Sequence, residues 1–363
     1  MRFQRSASPS DPGDTMQGYL RYSRMKVLFI AGCVALLVFL SLFTLGLGDT
    51  DLSYSEILRY LFFPDGSWNA TAVWELRFRM VAAAILAGTA LGIAGAVMQS
   101  ILRNPLASPF TLGLSNAAAF GAAVAILAGN GSSIMGSASA FVDGSNPFVI
   151  TLCAFAFAML ATGVMLLLVR VTGCTPETIV LAGTALSSIF SAGLAFLQYT
   201  ADDNSLSAIV YWQFGTLSKC SFEQLAIILA VLVPVSLYFL HKRWDYNAME
   251  AGEDVARGLG VNVRLTRYLG LTLAAVLTAI VVSFMGVIGF IGLVGPHMVK
   301  RLVGNDNRYV LPGSMAVGAL VLLLAYIVGT FGFGEEVIPV GIITSAVGGP
   351  LFIWILIRGR VRR

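Results

Sequence analysis

This 363-residue sequence predicts an all-α integral membrane protein of about ten transmembrane helices. Three observations carry that fold class. The chain is 57% hydrophobic and only 12% charged, where a soluble globular domain carries roughly 25% charged residues. Its apolar residues fall in runs of about twenty, the length a helix needs to cross the hydrocarbon core of a bilayer. Its basic residues gather on one side when those runs are threaded alternately across a membrane.

The chain opens on a polar arm, residues 1–25, that carries Arg2, Arg5, Arg21 and Arg24 and reads as disordered. The run at 27–47 exceeds the roughly 7–15 residues of a signal-peptide core and reads as a retained first span. Further spans fall near 80–101, 110–128, 147–169, 178–199, 222–240, 266–285, 287–303, 311–330 and 338–357. The eighth is short and glycine-rich, the composition of a tilted or broken helix.

With the N-terminus in the cytoplasm, the arm, Arg103, Arg170, Lys242, Arg243, Arg257, Arg264, Arg267, Lys300, Arg301, Arg308 and the C-terminal arginines all fall inside. Of the 23 basic residues only Arg59, Arg77, Arg79 and Lys219 fall outside. Both termini are then cytoplasmic, and 26–363 forms one ten-helix domain. Gly88 and Gly92 make a G-x-x-x-G pair, and Gly286, Gly289, Gly292 and Gly295 recur every third residue, spacings that let helix backbones approach closely. Cys33, Cys153, Cys174 and Cys220 are scattered without C-x-x-C spacing; Cys33 and Cys153 sit inside apolar runs and read as packing residues, not metal ligands.

Against this hydrocarbon background stands a charged island, residues 241–267, reading HKRWDYNAMEAGEDVARGLGVNVRLTR. Within it Met249, Gly252, Val255, Ala256 and Leu259 recur at helical spacing, while Glu250, Glu253, Asp254 and Arg257 fall on the opposite face. Asn247 is placed to cap the start of the helix, and Gly258 or Gly260 to end it. A short amphipathic helix in a cytoplasmic loop, with apolar spans on both sides, predicts a docking partner that supplies driving energy.

The chain's own chemistry is sparse. There is no G-x-x-x-x-G-K-[ST] loop, because none of the four lysines follows a glycine, so ATP is not held here in that way. H-E-x-x-H and G-x-S-x-G are also missing, and the two histidines, His241 and His297, lie at the island's edge and after Pro296. The sequence predicts no catalytic residue, no metal site and no cofactor of its own. The middle of every span lacks Asp, Glu, Lys and Arg, which disfavours an ATP-independent, ion-coupled carrier. Basic residues in short clusters between apolar runs point to membrane lipid and away from nucleic acid.

Four blocks together resemble the permeases of the iron-siderophore and cobalamin uptake (FecCD-type) family of ABC importers. They are AGTALGIAGAVMQSILRNPLASPFTLGLSNAAAFGA at 87–122, LAGTALSSIFSA at 181–192 followed by YWQFGTLS at 211–218, GEDVARGLGV at 252–261, and GFIGLVGPHMVKRLVGND at 289–306 followed by PVGIITSAVGGPLFIWIL at 339–356. The resemblance implies a type II importer permease that works as a homodimer. Two cytoplasmic ATPase subunits would hold ATP and Mg, and an extracytoplasmic binding protein would deliver an iron(III)-siderophore chelate, with cobalamin or haem as the alternative cargo.

It further implies that the coupling segment 241–267 meets the ATPase through Glu250, Gly252, Glu253, Ala256, Arg257, Leu259 and Gly260. Arg77 would dock the binding protein, as the first arginine of an R-x-P-R element that here reads Arg77-Phe78-Arg79-Met80, with Arg79 displaced by one position. Asn104 and Pro105 would make the turn between the second and third spans at the ATPase edge. Pro176 and Glu177 would lie where the cytoplasmic end of the pathway narrows.

Overall fold

The fold is that of a computed structural model, which describes residues 12–48, 52–129, 147–172, 176–334 and 336–360. Among these residues there is no strand, and each of the ten predicted stretches lies on a helix. The first helix, α1, runs Pro12–Gly46. Two short helices follow, α2 (Tyr54–Phe62) and α3 (Trp68–Thr71), and a π-helical turn, Ala72–Phe78, feeds without a break into α4 (Arg79–Leu102). Then come α5 (Leu114–Gly129), α6 (Pro147–Thr172), α7 (Pro176–Thr200), the short α8 (Asp203–Gln213) and α9 (Phe222–His241). The island supplies α10 (Arg243–Ala251) and α11 (Glu253–Gly258), and α12 (Val263–Met285), α13 (Ile291–Val303), α14 (Asn307–Phe331) and α15 (Val340–Arg360) complete the bundle. Among the described residues, seven helices are long and apolar enough to cross a membrane.

The helix starts have local causes. Ser53 and Ser221 cap α2 and α9 in capping boxes with Glu56 and Gln224, each pairing satisfying two backbone donors that a helix start leaves open. Asp202, Asn262 and Asp306 cap α8, α12 and α14. The third span starts at Leu114, later than the predicted 110, because the turn after α4 continues through a Ser108–Thr111 hydrogen-bonded loop to Gly113 at φ 82°. The eighth starts at Ile291, later than 287: Gly286 (φ 80°) and Phe290 (φ 66°) hold the chain out of the helix.

α4 is the axis. It is apolar all round and buried on nearly every face, as a helix must be when it lies inside a bundle. Glycines let its neighbours in: a Cβ at Gly88 would meet the Gly318 carbonyl oxygen of α14 at 2.5 Å, and one at Gly95 would collide with the Gly292 carbonyl of α13. These are backbone-to-backbone seams of the kind small residues permit in a membrane. α1, by contrast, exposes Leu28, Val34, Phe39 and Phe43. It is an outer helix whose apolar surface suits lipid.

The polar arm departs from expectation. Residues 12–25 are helical, continuing α1, while 1–11 lie outside the described residues. Once the span has paid for nucleation, each further turn costs little. The extension is also held: Ser23 Oγ lies 2.5 Å from the Tyr309 hydroxyl, and the Lys26 ammonium sits 4.1 Å from the Tyr22 ring and 4.9 Å from that of Tyr309. Cys33, Cys153 and Cys220 are free thiols; Cys174 is outside the described residues.

Candidate coupling site

The island folds as two helices, not one. Gly252, at φ 132° and ψ 152°, separates α10 from α11, a conformation open in practice only to glycine. Asn247 is no cap: it lies inside α10, and its side chain accepts from the Asn307 backbone N–H at 2.7 Å and donates to Asp306 Oδ1 at 3.0 Å. Gly260 (φ 83°), not Gly258, ends α11. The Val261 N–H bonds the Ala256 carbonyl at 2.9 Å and the Gly260 N–H bonds that of Arg257 at 3.0 Å, the paired bonds of a Schellman ending with glycine in the left-handed position.

This geometry re-sorts the predicted coupling residues. Ala256 is fully buried and Met249 nearly so. Val255 and Leu259, expected on the same apolar face, are 49% and 68% exposed. Glu250 and Glu253, expected on the opposite, polar face, are engaged by the bundle. Glu250 Oε1 receives the Lys300 ammonium at 2.7 Å and the Ser100 hydroxyl at 2.8 Å, and Glu253 pairs with Arg267 and, at 3.3 Å, with Arg257. The helical-wheel reading failed because the break at Gly252 resets the phase between the two halves. What α11 presents outward is Val255 and Leu259, flanked by the exposed Asp254, Arg257, Gly258 and Gly260.

Asp306 joins the island to α14. Burial works to raise its carboxyl, but hydrogen bonds from Arg308 and Asn247, with the Arg308 charge, outweigh burial and hold it below the usual carboxylate value. Arg308 reaches Asp306 Oδ2 through Nη2 at 2.6 Å and lies 4.8 Å from the exposed ring of Trp244. The turn after α4 lies at this same end of the bundle. Arg103 is left-handed (φ 49°), Asn104 Oδ1 accepts from the Leu106 N–H at 2.9 Å, and Arg103, Pro105 and Leu106 are exposed. Pro176 is the first residue of α7, where a missing N–H is harmless; the side chains of Pro176 and Glu177 lie outside the described residues.

At the opposite end, the predicted docking arginines are engaged by their own chain. Arg77, in the π-helical turn, is 8% exposed and donates through Nη1 to the Leu45 carbonyl at 2.9 Å. Arg79 donates to the Glu75 carbonyl at 3.0 Å and the Cys220 carbonyl at 3.3 Å, and lies 3.5 Å from the Glu75 carboxylate. Within this chain Arg77 is therefore buried and Arg79 only partly exposed. Sequence reasoning also missed Ser100, Asn247, Lys300 and Asn307 as a connected set, since they lie on four separate helices and carry no shared spacing.

Residues 36–358 match the model of the FecCD transport family. A protein of Methanocaldococcus jannaschii named as an ABC transporter permease is 41% identical over 345 residues, 95% of this chain and 98% of its own. The vitamin B12 import system permease BtuC of Yersinia pestis is 33% identical over 333 residues, covering 91% of this chain and 92% of that protein. Among solved structures, a chain of a metal-chelate type ABC transporter in an inward-facing conformation aligns with a TM-score of 0.76 at 27% identity, over 91% of this chain and 99% of its own.

Proposed function

The chain belongs to the FecCD transport family, and from that premise we propose that it forms the membrane pathway for an iron(III)-siderophore-type chelate and is driven through α11 by a separate ATPase. It is a multi-pass protein of the cytoplasmic membrane and a permease subunit of an ABC importer of the metal-chelate and vitamin B12 type. Two copies of the chain, two ATPase subunits holding ATP and Mg, and one extracytoplasmic binding protein make up the proposed assembly. Glycine-to-carbonyl seams close the inside of the subunit, so a bulky chelate fits better between two copies than through one.

The observation that carries the ATPase reading is the exposed pair Val255 and Leu259 on α11. Two apolar side chains held in water at the tip of a loop that is braced from behind suit a groove on a soluble partner. The test is Leu259→Glu in the reconstituted complex. The variant should insert and melt like the parent yet retain no ATPase on purification; normal retention would refute the contact. Cargo is assayed separately, by uptake of ferric hydroxamate, cyanocobalamin and haem. Cobalamin is the second reading, favoured by the relatives named for vitamin B12 import.

A further inference from the structure

The residues behind α11 form a continuous polar network at the island end of an otherwise apolar bundle. Glu250 Oε1, on α10, receives Lys300 of α13 at 2.7 Å and the Ser100 hydroxyl of α4 at 2.8 Å. The side chains of Lys300 and Glu250 are only 14% and 16% exposed. Ser100 also lies 3.0 Å from Asn307 Oδ1 at the start of α14. Asn307 is fully buried, and its N–H is held by Asn247, one turn before Glu250 on α10. Asn247 also donates to Asp306, the cap of α14. Three helices thus meet α10 through hydrogen bonds centred on two of its side chains.

One feature marks this junction as more than packing. A buried carboxylate–ammonium pair is a poor source of net stability, because desolvation offsets most of the Coulomb gain; its better-attested use is to fix one arrangement among several. Ser100 has one hydroxyl proton and faces two acceptors, while Asn307 Nδ2 has no hydrogen-bond partner among the described residues. With the Asn307 amide oxygen and nitrogen exchanged, Nδ2 donates to Ser100 Oγ and Ser100 serves Glu250 alone, so Ser100 ties α4 to both α10 and α14 in either orientation of the amide.

We propose that Glu250, with Asn247, is a positioning residue that transmits motion of the ATPase-facing α11 to α4, α13 and α14, and does not itself touch the ATPase. The assignment rests on the reading of α11 as the ATPase contact. α10 and α11 join at a single glycine, so a pull on α11 reaches the bundle through these bonds and the Arg267–Glu253 pair. The Glu250 end of the lever reports to three helices, the Glu253 end to α12 alone.

The permease–ATPase complex is reconstituted in liposomes with Glu250→Gln, which keeps the shape and removes the charge. ATPase retention and the amount of ferric hydroxamate moved per ATP are both read, with cyanocobalamin as a parallel probe. Retention should match the parent while transport per ATP falls roughly tenfold. The reversed pair Glu250→Lys with Lys300→Glu should recover part of the loss, whereas Leu259→Glu loses retention itself. Unchanged transport per ATP in Glu250→Gln overturns the proposal, and so does loss of ATPase retention, which would make Glu250 a direct contact. Should the Glu250→Gln permease fail to fold and insert on its own, Ser100→Ala is read by the same two criteria, since it cuts one tie without stranding a charge. A parent chain that retains no ATPase would sink the reading of α11, and this assignment with it.

Discussion

Glu253, the first residue of α11, accepts a hydrogen bond from Arg267 in the second turn of α12, tying the two ends of the loop that carries the exposed Leu259. Arg267 is 5% exposed while the Glu253 side chain is about one-third exposed, so the partners are not equivalent. Truncating Glu253 takes a carboxylate away from a buried guanidinium. Truncating Arg267 leaves a carboxylate that water can reach. Glu253→Ala should therefore cost more than Arg267→Met, about 2–3 kcal/mol against roughly 1. The double variant should recover part of the loss. Thermal unfolding in detergent checks the order; equal costs would contradict the asymmetry.

The glycines of the island separate into two kinds. A Cβ at Gly252 would meet nothing closer than Val255 Cγ2 at 3.9 Å, so space is available and only the backbone at φ 132° resists. Gly260 is likewise open but left-handed at φ 83°. Gly258 has open space and no positive φ. Gly252→Ala and Gly260→Ala should each destabilise the loop by about 1–3 kcal/mol, whereas Gly258→Ala should be neutral or stabilising by up to about 1 kcal/mol. Melting temperatures and ATPase retention of the three alanine variants provide the measurement. Ala256 is a poor probe of docking, because a bulky charge there would first disrupt buried packing.

The membrane class and the place of every long helix were legible because apolar run length responds to one dominant constraint, the thickness of hydrocarbon. The island was legible for the converse reason: charge in such a chain has no cheap place to go. Its inner organisation was not. Helical spacing assigned Glu250 and Val255 to faces on the assumption of one uninterrupted helix, and the phase is lost at Gly252. Nor does any local pattern reveal that Ser100 and Lys300, two hundred residues apart, meet on one carboxylate. Nor does the sequence show how Arg77 is held. A lone arginine at a span boundary looks like a surface charge, and only the fold shows it folded back onto the Leu45 carbonyl.

The depressed Asp306 carboxyl gives a signed pH dependence. Its folded value lies below its unfolded one because hydrogen bonds from Arg308 and Asn247 outweigh burial. The folded state therefore binds its proton less readily, and the associated stability is present above the unfolded value and lost as pH falls through the folded one. Asp306→Asn keeps an acceptor for Asn247 and for the cap but removes the titration. Melting temperature measured from neutral to acid pH should fall less steeply for the variant than for the parent. Parallel curves would show that Asp306 does not contribute to the acid limb.

The seam between α4 and α13 yields the largest expected effect. Gly95 faces the Gly292 carbonyl so closely that a Cβ has no place, and a Cβ on Gly292 would in turn meet the Leu91 carbonyl at 2.9 Å. Neither obstruction is a flexible side chain, so relief requires the helices to separate. Separation opens the neighbouring contact of Gly88 with Gly318 on α14, because α4 is common to both seams. In a membrane no hydrophobic gain restores the lost contact, as lipid tails are no less apolar than the helices. Gly95→Ala should thus cost more than the 1–3 kcal/mol of ordinary overpacking and reduce the yield of folded protein. Gly163, on α6, has open space around its Cβ position, and Gly163→Ala should be neutral or stabilising by up to about 1 kcal/mol through helix propensity. Monodispersity and thermal unfolding of the pair decide the point: similar behaviour of the two variants would mean that α4 and α13 are not held at backbone contact.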